Sequence, residues 1–378
     1  MRKYLLTPGP TMIPEDVSLQ TANPVIHHRT EEFGNLLRNV VDKMKKVFLT
    51  KNDLFVLTSS GTGGMEMAVA NLISPKDKVL VVSIGVFGHR WNKILKTFGA
   101  DVSMIDCKWG EALNPEEVKA KINEIKNLKA VFTTLTETST GTVNPIKDLR
   151  EVMKGTDAVL VVDAISGVAV DELWTDKWGC DIVVAGSQKG LMMPPGLAFV
   201  SVSKKAWEII EKNKSPRFYW DLLAYRDYFK KGQTPYTPAV TLLFAASRSL
   251  DMILQEGLDN IWLRHRRLAE ACGGGVKKLG LELFSSSPSS GVTAVKVPAE
   301  IGDGTRITSL MKDKYGVIIA GGQQNLKGKI FRFAHMGHVG SLEITIGLSA
   351  LEMVLQELGY DVPLGKGVEE AERVFLGI

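Results

Sequence analysis

The chain of 378 residues is 44% apolar and 23% charged, enough to bury a large core, which excludes a disordered polypeptide. Its 46 basic and 42 acidic residues leave a net charge of +4, and no segment gathers the roughly 6–10 cations that firm binding to a phosphate backbone takes, so nucleic acid is not an expected partner. No run of about 18 uncharged apolar residues occurs, and the two basic residues at the N-terminus are not followed by an apolar stretch, so neither a membrane span nor a secretory leader is expected.

Apolar runs rich in Val and Ile recur at 55–58, 78–83, 101–105, 130–134, 158–163, 181–185 and 197–202 and read as buried strands. Helical periodicity separates several of them, at 65–73, 90–97, 115–125 and 146–153. Strands alternating with helices predict an α/β fold with a mainly parallel, seven-stranded sheet covered on both faces. The short connection before 197–202 allows one antiparallel strand there. Beyond residue 240 the pattern changes to long helices at 238–255 and 259–279, strands at 281–284, 292–297, 317–320 and 329–334, and helices at 303–314 and 341–358. The expected organisation is an N-terminal segment over 1–20 packing near the active site, a large domain over 21–255 and a small C-terminal α+β domain over 256–378.

In an open sheet of this kind ligands bind beyond the carboxyl ends of the strands, and four strand ends carry unusual residues. Ser59-Ser60-Gly61-Thr62-Gly63-Gly64 follows the first strand and leads into a helix. Small residues let backbone approach an anion, and the helix N-terminus supplies free N–H groups, which suits a phosphate; a plain strand-to-helix turn is the alternative. Asp163 ends the run Val159-Leu160-Val161-Val162 and projects a carboxylate into the crevice, unless it serves only as a turn or helix-cap residue. Lys189, just past another strand in Gly186-Ser187-Gln188-Lys189-Gly190, is expected to be partly desolvated and nucleophilic, unless it is an exposed loop lysine. Thr136-Glu137-Thr138-Ser139-Thr140-Gly141 forms a hydroxyl-rich turn. Together these are the parts of a pyridoxal 5′-phosphate site: a lysine for the Schiff base, an anion cradle, and a carboxylate that keeps the pyridine nitrogen protonated.

With these motifs, and with Thr7-Pro8-Gly9-Pro10-Thr11, Gly85-Val86-Phe87-Gly88, Pro194-Pro195-Gly196 and Phe331-Arg332-Phe333, the whole chain resembles the class V aminotransferases of fold type I, in particular the alanine–glyoxylate and serine–pyruvate group. The resemblance implies that Lys189 holds the cofactor and moves the substrate proton, and that Asp163 pairs with the ring nitrogen. Phe87 would stack on the ring where many members have Trp, and Thr138 would bond its phenolic oxygen or edge. Ser60, Gly61, Thr62 and Gln188 would hold the phosphate, with Thr62 standing where some relatives have His. Thr237, with Tyr236 beside it, would reach the phosphate of a second subunit, making the active unit a homodimer. Arg332 would bind the substrate carboxylate, and it is also the residue whose burial in an apolar strand calls for an anion; Gly9 would let backbone approach the substrate.

The expected reaction is therefore transamination between a small amino acid, alanine or serine, and a 2-oxo acid, glyoxylate or pyruvate. An aspartate or phosphoserine aminotransferase is the lesser alternative, because no second basic group for a dicarboxylate can be placed from sequence. A cysteine desulfurase would need a mobile small-domain cysteine, and Cys272 sits inside a helical pattern. Cys107, Cys180 and Cys272 lack CxxC spacing, which points to the reducing cytoplasm, and no metal site is expected, His335 and His338 having no third partner. His27-His28-Arg29 reads as interface or surface.

Overall fold

The structure is a computed structural model describing residues 3–378; Met1 and Arg2, part of the expected 1–20 segment, lie outside the described residues. The seven apolar runs form strands β1 (Asp53–Thr58), β2 (Lys78–Ser83), β3 (Asp101–Asp106), β4 (Ala130–Thr134), β5 (Val159–Asp163), β6 (Ile182–Gly186) and β7 (Leu197–Val202). They pair in the order β1-β7-β6-β5-β4-β2-β3. All neighbours are parallel except β7, which is antiparallel to both β1 and β6.

Side-chain alternation explains why these strands are apolar throughout. Leu80, Val82, Leu160 and Val162 face a layer built from the Glu31–Phe48 and Val240–Glu256 helices, through Phe33, Leu37, Met44, Leu243 and Leu250. Val79, Val81, Val159 and Val161 face the opposite layer, formed by the Gly61–Leu72 and Val86–Thr97 helices through Met65, Met67, Trp91 and Leu95. Asp163, next in the alternation after Val161, ends its strand on the side of that second layer.

At Gly257, whose φ is +82°, the chain breaks between the Val240–Glu256 helix and the Leu258–Lys278 helix. Beyond it, Val292–Lys296, Ile330–Ala334 and Ala320–Gly321 form a three-stranded antiparallel sheet. Its core unites Cys272, Val276, Phe331, Phe333, Leu348 and Leu351 with Leu6 from the other end of the chain. The strand Tyr4–Leu5 lies parallel to Val317–Ile318.

Several expected elements differ. Residues 281–284 form no strand, only a bridge between Leu283 and Val295, because the serines that follow turn away to bond Gly110 and Val143 of the other unit. The run 317–320 divides, its first half pairing with Tyr4–Leu5 and its second with Ile330–Ala334. The Gly61–Leu72 helix starts before residue 65, since its first turn is built from glycines that carry no helical signal. The Leu222–Lys230 and Lys366–Leu376 helices have no counterpart among the expected elements.

The Leu258–Lys278 helix contains three consecutive glycines, and only one is demanded by packing. A Cβ at Gly275 would lie 2.6 Å from Leu348 and 2.8 Å from the Gly367 carbonyl, where the Lys366–Leu376 helix crosses, whereas one at Gly273 would meet its nearest neighbour at 3.6 Å. Gly275→Ala is expected to destabilise by about 1–3 kcal/mol and Gly273→Ala to stabilise by up to about 1 kcal/mol, read as opposite shifts of the urea midpoint.

Candidate active site

A cavity of about 210 Å³ opens at the carboxyl edge of the large sheet, and Gly9, Ser60, Gly61, Thr62, Phe87, Asp163, Gln188 and Lys189 all line it. Of the residues singled out in the sequence, these are the ones the fold brings together. Arg90, Thr136, Ser166 and Pro10 share the same wall. Thr138, Arg332, Tyr236 and Thr237 stand apart from it.

Lys189 reaches the cavity because Ser187 ties the hairpin between β6 and β7. The Ser187 hydroxyl donates to the Pro194 carbonyl at 2.7 Å and accepts from the Leu197 amide at 3.2 Å. The Lys189 side chain is 8% exposed, and its Nζ donates to the Pro8 carbonyl. Burial, resisted by the Asp163 carboxylate, pulls its pKa down to about 8. Residues 7–10 cross directly over it. A Cβ on Gly9, whose φ is +142°, would collide with the lysine side chain, so no other residue fits there. Thr11 closes the crossing, its amide donating to the Gln188 carbonyl and its hydroxyl to the Lys189 carbonyl, both at 3.1 Å.

Asp163 accepts from the Ile165 amide at 2.9 Å, and burial pushes its pKa up to about 7. The cradle is the first turn of the Gly61–Leu72 helix. The amides of Gly63 and Gly64 already bond the Ser60 carbonyl, leaving those of Gly61 and Thr62 ahead of the first intrahelical bond. Gln188 extends a side chain whose buried oxygen has no hydrogen-bond partner among the described residues.

Phe87 is held by a residue that had no assigned role. Glu137, fully buried, accepts from the amides of Phe87 at 2.9 Å and Gly88 at 3.2 Å, capping the Val86–Thr97 helix. Its other oxygen accepts from the Ser139 amide at 3.1 Å and hydroxyl at 2.5 Å. Burial raises its pKa, and the hydrogen bonds it accepts from Ser139, Gly88 and Phe87 oppose that rise. Arg90, one turn beyond Phe87, holds its guanidinium 4.7 Å from the Phe87 ring centre and donates to the Thr62 hydroxyl at 3.0 Å. Their spacing of three residues puts both on one helix face, a signal that a helix taken to begin at residue 90 conceals.

Arg332 is buried in Ile330–Ala334, and desolvation lowers its pKa to about 10. Its Nε and Nη2 donate to the Gly321 carbonyl at 3.0 and 2.6 Å, and Nη1 to the Thr138 carbonyl at 2.6 Å. Thr138 thus meets Arg332 through its backbone. Among the described residues no carboxylate comes within 4 Å of Arg332, Arg90 or Lys189.

Thr237 is exposed, and Tyr236 stacks on Tyr219 with centroids 5.0 Å apart. The Ala239 amide donates to the Thr58 hydroxyl at 2.9 Å, placing this stretch beside the strand that leads into the cradle. Arg29 fixes it, donating to Gln233, to the Thr234 carbonyl at 2.7 Å and to the Pro235 carbonyl at 3.1 Å. His335 is occupied by Thr293 and the Ser290 carbonyl, and Cys272 is buried in the Leu258–Lys278 helix.

The family model for class-V aminotransferases matches residues 3–339. An uncharacterized aminotransferase of Methanocaldococcus jannaschii is 45% identical, covering 100% of this chain and 98% of its own length. A serine–glyoxylate aminotransferase of Arabidopsis thaliana is 34% identical over 98% of this chain and 94% of its own. The crystal structure of the ureidoglycine–glyoxylate aminotransferase of Bacillus subtilis superposes with a TM-score of 0.96 at 30% identity, covering 100% of this chain and 98% of that one. With a matching family model over most of its length, and with the fold and whole-chain identity of such relatives, the chain belongs to the class-V aminotransferases, which are pyridoxal 5′-phosphate-dependent enzymes.

Proposed function

We propose that the chain transfers an amino group from a small amino acid to glyoxylate, with pyruvate as the other candidate acceptor and alanine or serine as donor. The observation that carries this reading is the convergence of a desolvated amine, a buried carboxylate and a helix N-terminus on one cavity. The Arabidopsis thaliana and Bacillus subtilis relatives differ in amino donor, serine or ureidoglycine, and share glyoxylate as acceptor.

The residues fit the cofactor. Among the described residues the Gly61 and Thr62 amides have no acceptor, which suits a phosphate, and Asp163, Phe87 and Lys189 line the same cavity. In this reading Lys189 holds the cofactor and shuttles the substrate proton, Asp163 keeps the ring nitrogen protonated and Phe87 covers one ring face. Ser60, Gly61, Thr62 and Gln188 take the phosphate. When bound, the pyridoxal ring supplies the electron sink. Arg332, with N–H groups left after its carbonyl bonds, takes the substrate carboxylate, and the Gly9 backbone lies against the substrate. Thr138 contributes at the ring's edge, next to the guanidinium it positions.

Two copies make the working unit in this proposal, with Thr237 and Tyr236 of each directed to the other's phosphate. The exposure of Thr237 and of Phe218, which is 80% exposed beside Tyr236, supports it. Residues 256–378 together with the N-terminal strand are proposed to act as the smaller domain. Three unpaired cysteines favour a cytoplasmic setting, and no helix of the described residues is long and apolar enough to cross a membrane.

Purified protein should show a visible absorbance band that borohydride bleaches and Lys189→Ala abolishes; a chain that gains no band with added pyridoxal 5′-phosphate overturns the reading. Arg332→Lys should raise KM for the 2-oxo acid about tenfold or more while cofactor affinity holds. If KM does not move, the carboxylate lies elsewhere.

The Lys189 pKa makes a separate prediction for cofactor-free protein. Between about pH 8 and the ordinary 10.5 the folded chain binds fewer protons than the unfolded one, so this lysine's contribution to stability improves as pH rises through that window, and its full cost is present below about pH 8. Lys189→Met should therefore stabilise the cofactor-free protein at pH 6 by about 1–3 kcal/mol, an advantage that shrinks by pH 10 in denaturant titrations.

For the shared site, Lys189→Ala and Thr237→Ala proteins should each be deficient alone and regain cofactor binding when subunits are exchanged. No recovery after verified exchange would place each site within one chain.

A further inference from the structure

We propose that Arg90 binds the cofactor's phosphate directly, as the cation of a cradle that otherwise offers only amides and hydroxyls. This rests on the pyridoxal phosphate reading above and goes beyond it by adding a residue and a charge.

Arg90 is a half-buried cation on the cavity wall. Of the five N–H groups of a guanidinium, one goes to the Thr62 hydroxyl at 3.0 Å. Among the described residues no carboxylate pairs with the rest, and the plane is braced against the Phe87 ring. A partly desolvated guanidinium with donors to spare suits an oxyanion with two oxygens to present.

Location decides which anion. Arg332 is anchored to the Gly321 and Thr138 carbonyls, whereas the one hydrogen bond of Arg90 among the described residues goes to Thr62, in the first turn of the Gly61–Leu72 helix. A helix N-terminus contributes about half a positive charge, while a phosphate monoester carries about −1.5 to −2 at neutral pH. One further cation at that end closes most of the difference. The contact also sets the Thr62 hydroxyl. Arginine has no acceptor, so the Thr62 oxygen accepts from it, and the Thr62 proton is left to donate to a phosphate oxygen. A single side chain thereby supplies charge, orients a neighbouring donor and steadies the ring-covering Phe87.

The test compares two ligands that differ only in the phosphate. Binding of pyridoxal 5′-phosphate and of pyridoxal is titrated by absorbance with wild type, Arg90→Gln and Arg90→Lys. Arg90→Gln is expected to weaken the phosphate form about 10- to 100-fold and pyridoxal less than about twofold, with Arg90→Lys between the wild type and Arg90→Gln. Unchanged pyridoxal binding also shows that the variant is folded. Equal losses for both ligands would mean that Arg90 acts only through Phe87, and no loss for either would mean that the phosphate does not meet it. Either result overturns the proposal, as does intact cofactor binding joined to a raised KM for an acidic amino donor. A wild type that fails to bind the phosphate form would bring down the cofactor reading itself, and this inference with it.

Discussion

Burying the Lys189 amine at the edge of an apolar sheet removes it from water, and three separate stretches of chain arrange themselves around that constraint. The hairpin tied by Ser187 delivers the side chain, the Pro8 carbonyl accepts its proton donor, and Asp163 at the end of β5 supplies an opposing charge. Neither ion is fully screened by the other, since they do not reach ion-pair distance. The amine is thereby held down to a pKa of about 8 and the carboxyl up to about 7, each closer to neutrality than in water. Groups poised this way can gain or lose a proton near physiological pH.

The same edge must accommodate Arg90, Arg332 and Glu137 as well. Glu137 does more than cap a helix. It depresses no neighbour's charge at random: it opposes ionisation of Asp163 and favours the charged forms of Arg332 and Lys189. Its carboxyl accepts from three backbone amides and the Ser139 hydroxyl, which oppose the rise in pKa that burial imposes. A buried carboxyl fixed by backbone amides thus holds a set position among Arg90, Arg332 and Lys189.

Much of this was legible in the sequence because a parallel sheet gathers its strand ends on one edge. Asp163, Lys189 and the Ser60–Thr62 turn are distant in sequence, yet each follows a recognisable apolar run, so their meeting follows from the fold class. What escaped was non-local. Glu137 caps a helix 50 residues earlier in the chain, and nothing about Phe87 or Gly88 announces that partner. Arg90 was hidden by the late start assigned to its helix. The pairing of Tyr4–Leu5 with Val317–Ile318 joins two-residue strands from opposite ends of the chain, too short to carry a periodic signal. Arg29 reads as interface or surface because its acceptors, the Gln233 side chain and two backbone carbonyls, lie in a turn some 205 residues away.

That terminal pairing has a mechanical consequence. The Leu6 amide donates to the Ile318 carbonyl at 2.8 Å, and the Leu6 carbonyl accepts from the Ala334 amide at 2.9 Å, so Leu6 is stitched between two strands of the C-terminal unit. Three residues later Gly9 lies against Lys189, and Thr11 is bonded to the backbone of Gln188 and Lys189. Arg332 sits two residues before Ala334 on the same strand and bonds the Thr138 carbonyl on the other side. The separation between the guanidinium and the amine is therefore set by two short paths, one through the N-terminal crossing and one through the Thr138 turn. Neither contains a long flexible loop. In the function proposed above, a substrate spanning the two groups meets a distance fixed by hydrogen bonds at both ends, which favours reactants of one size over a range of sizes.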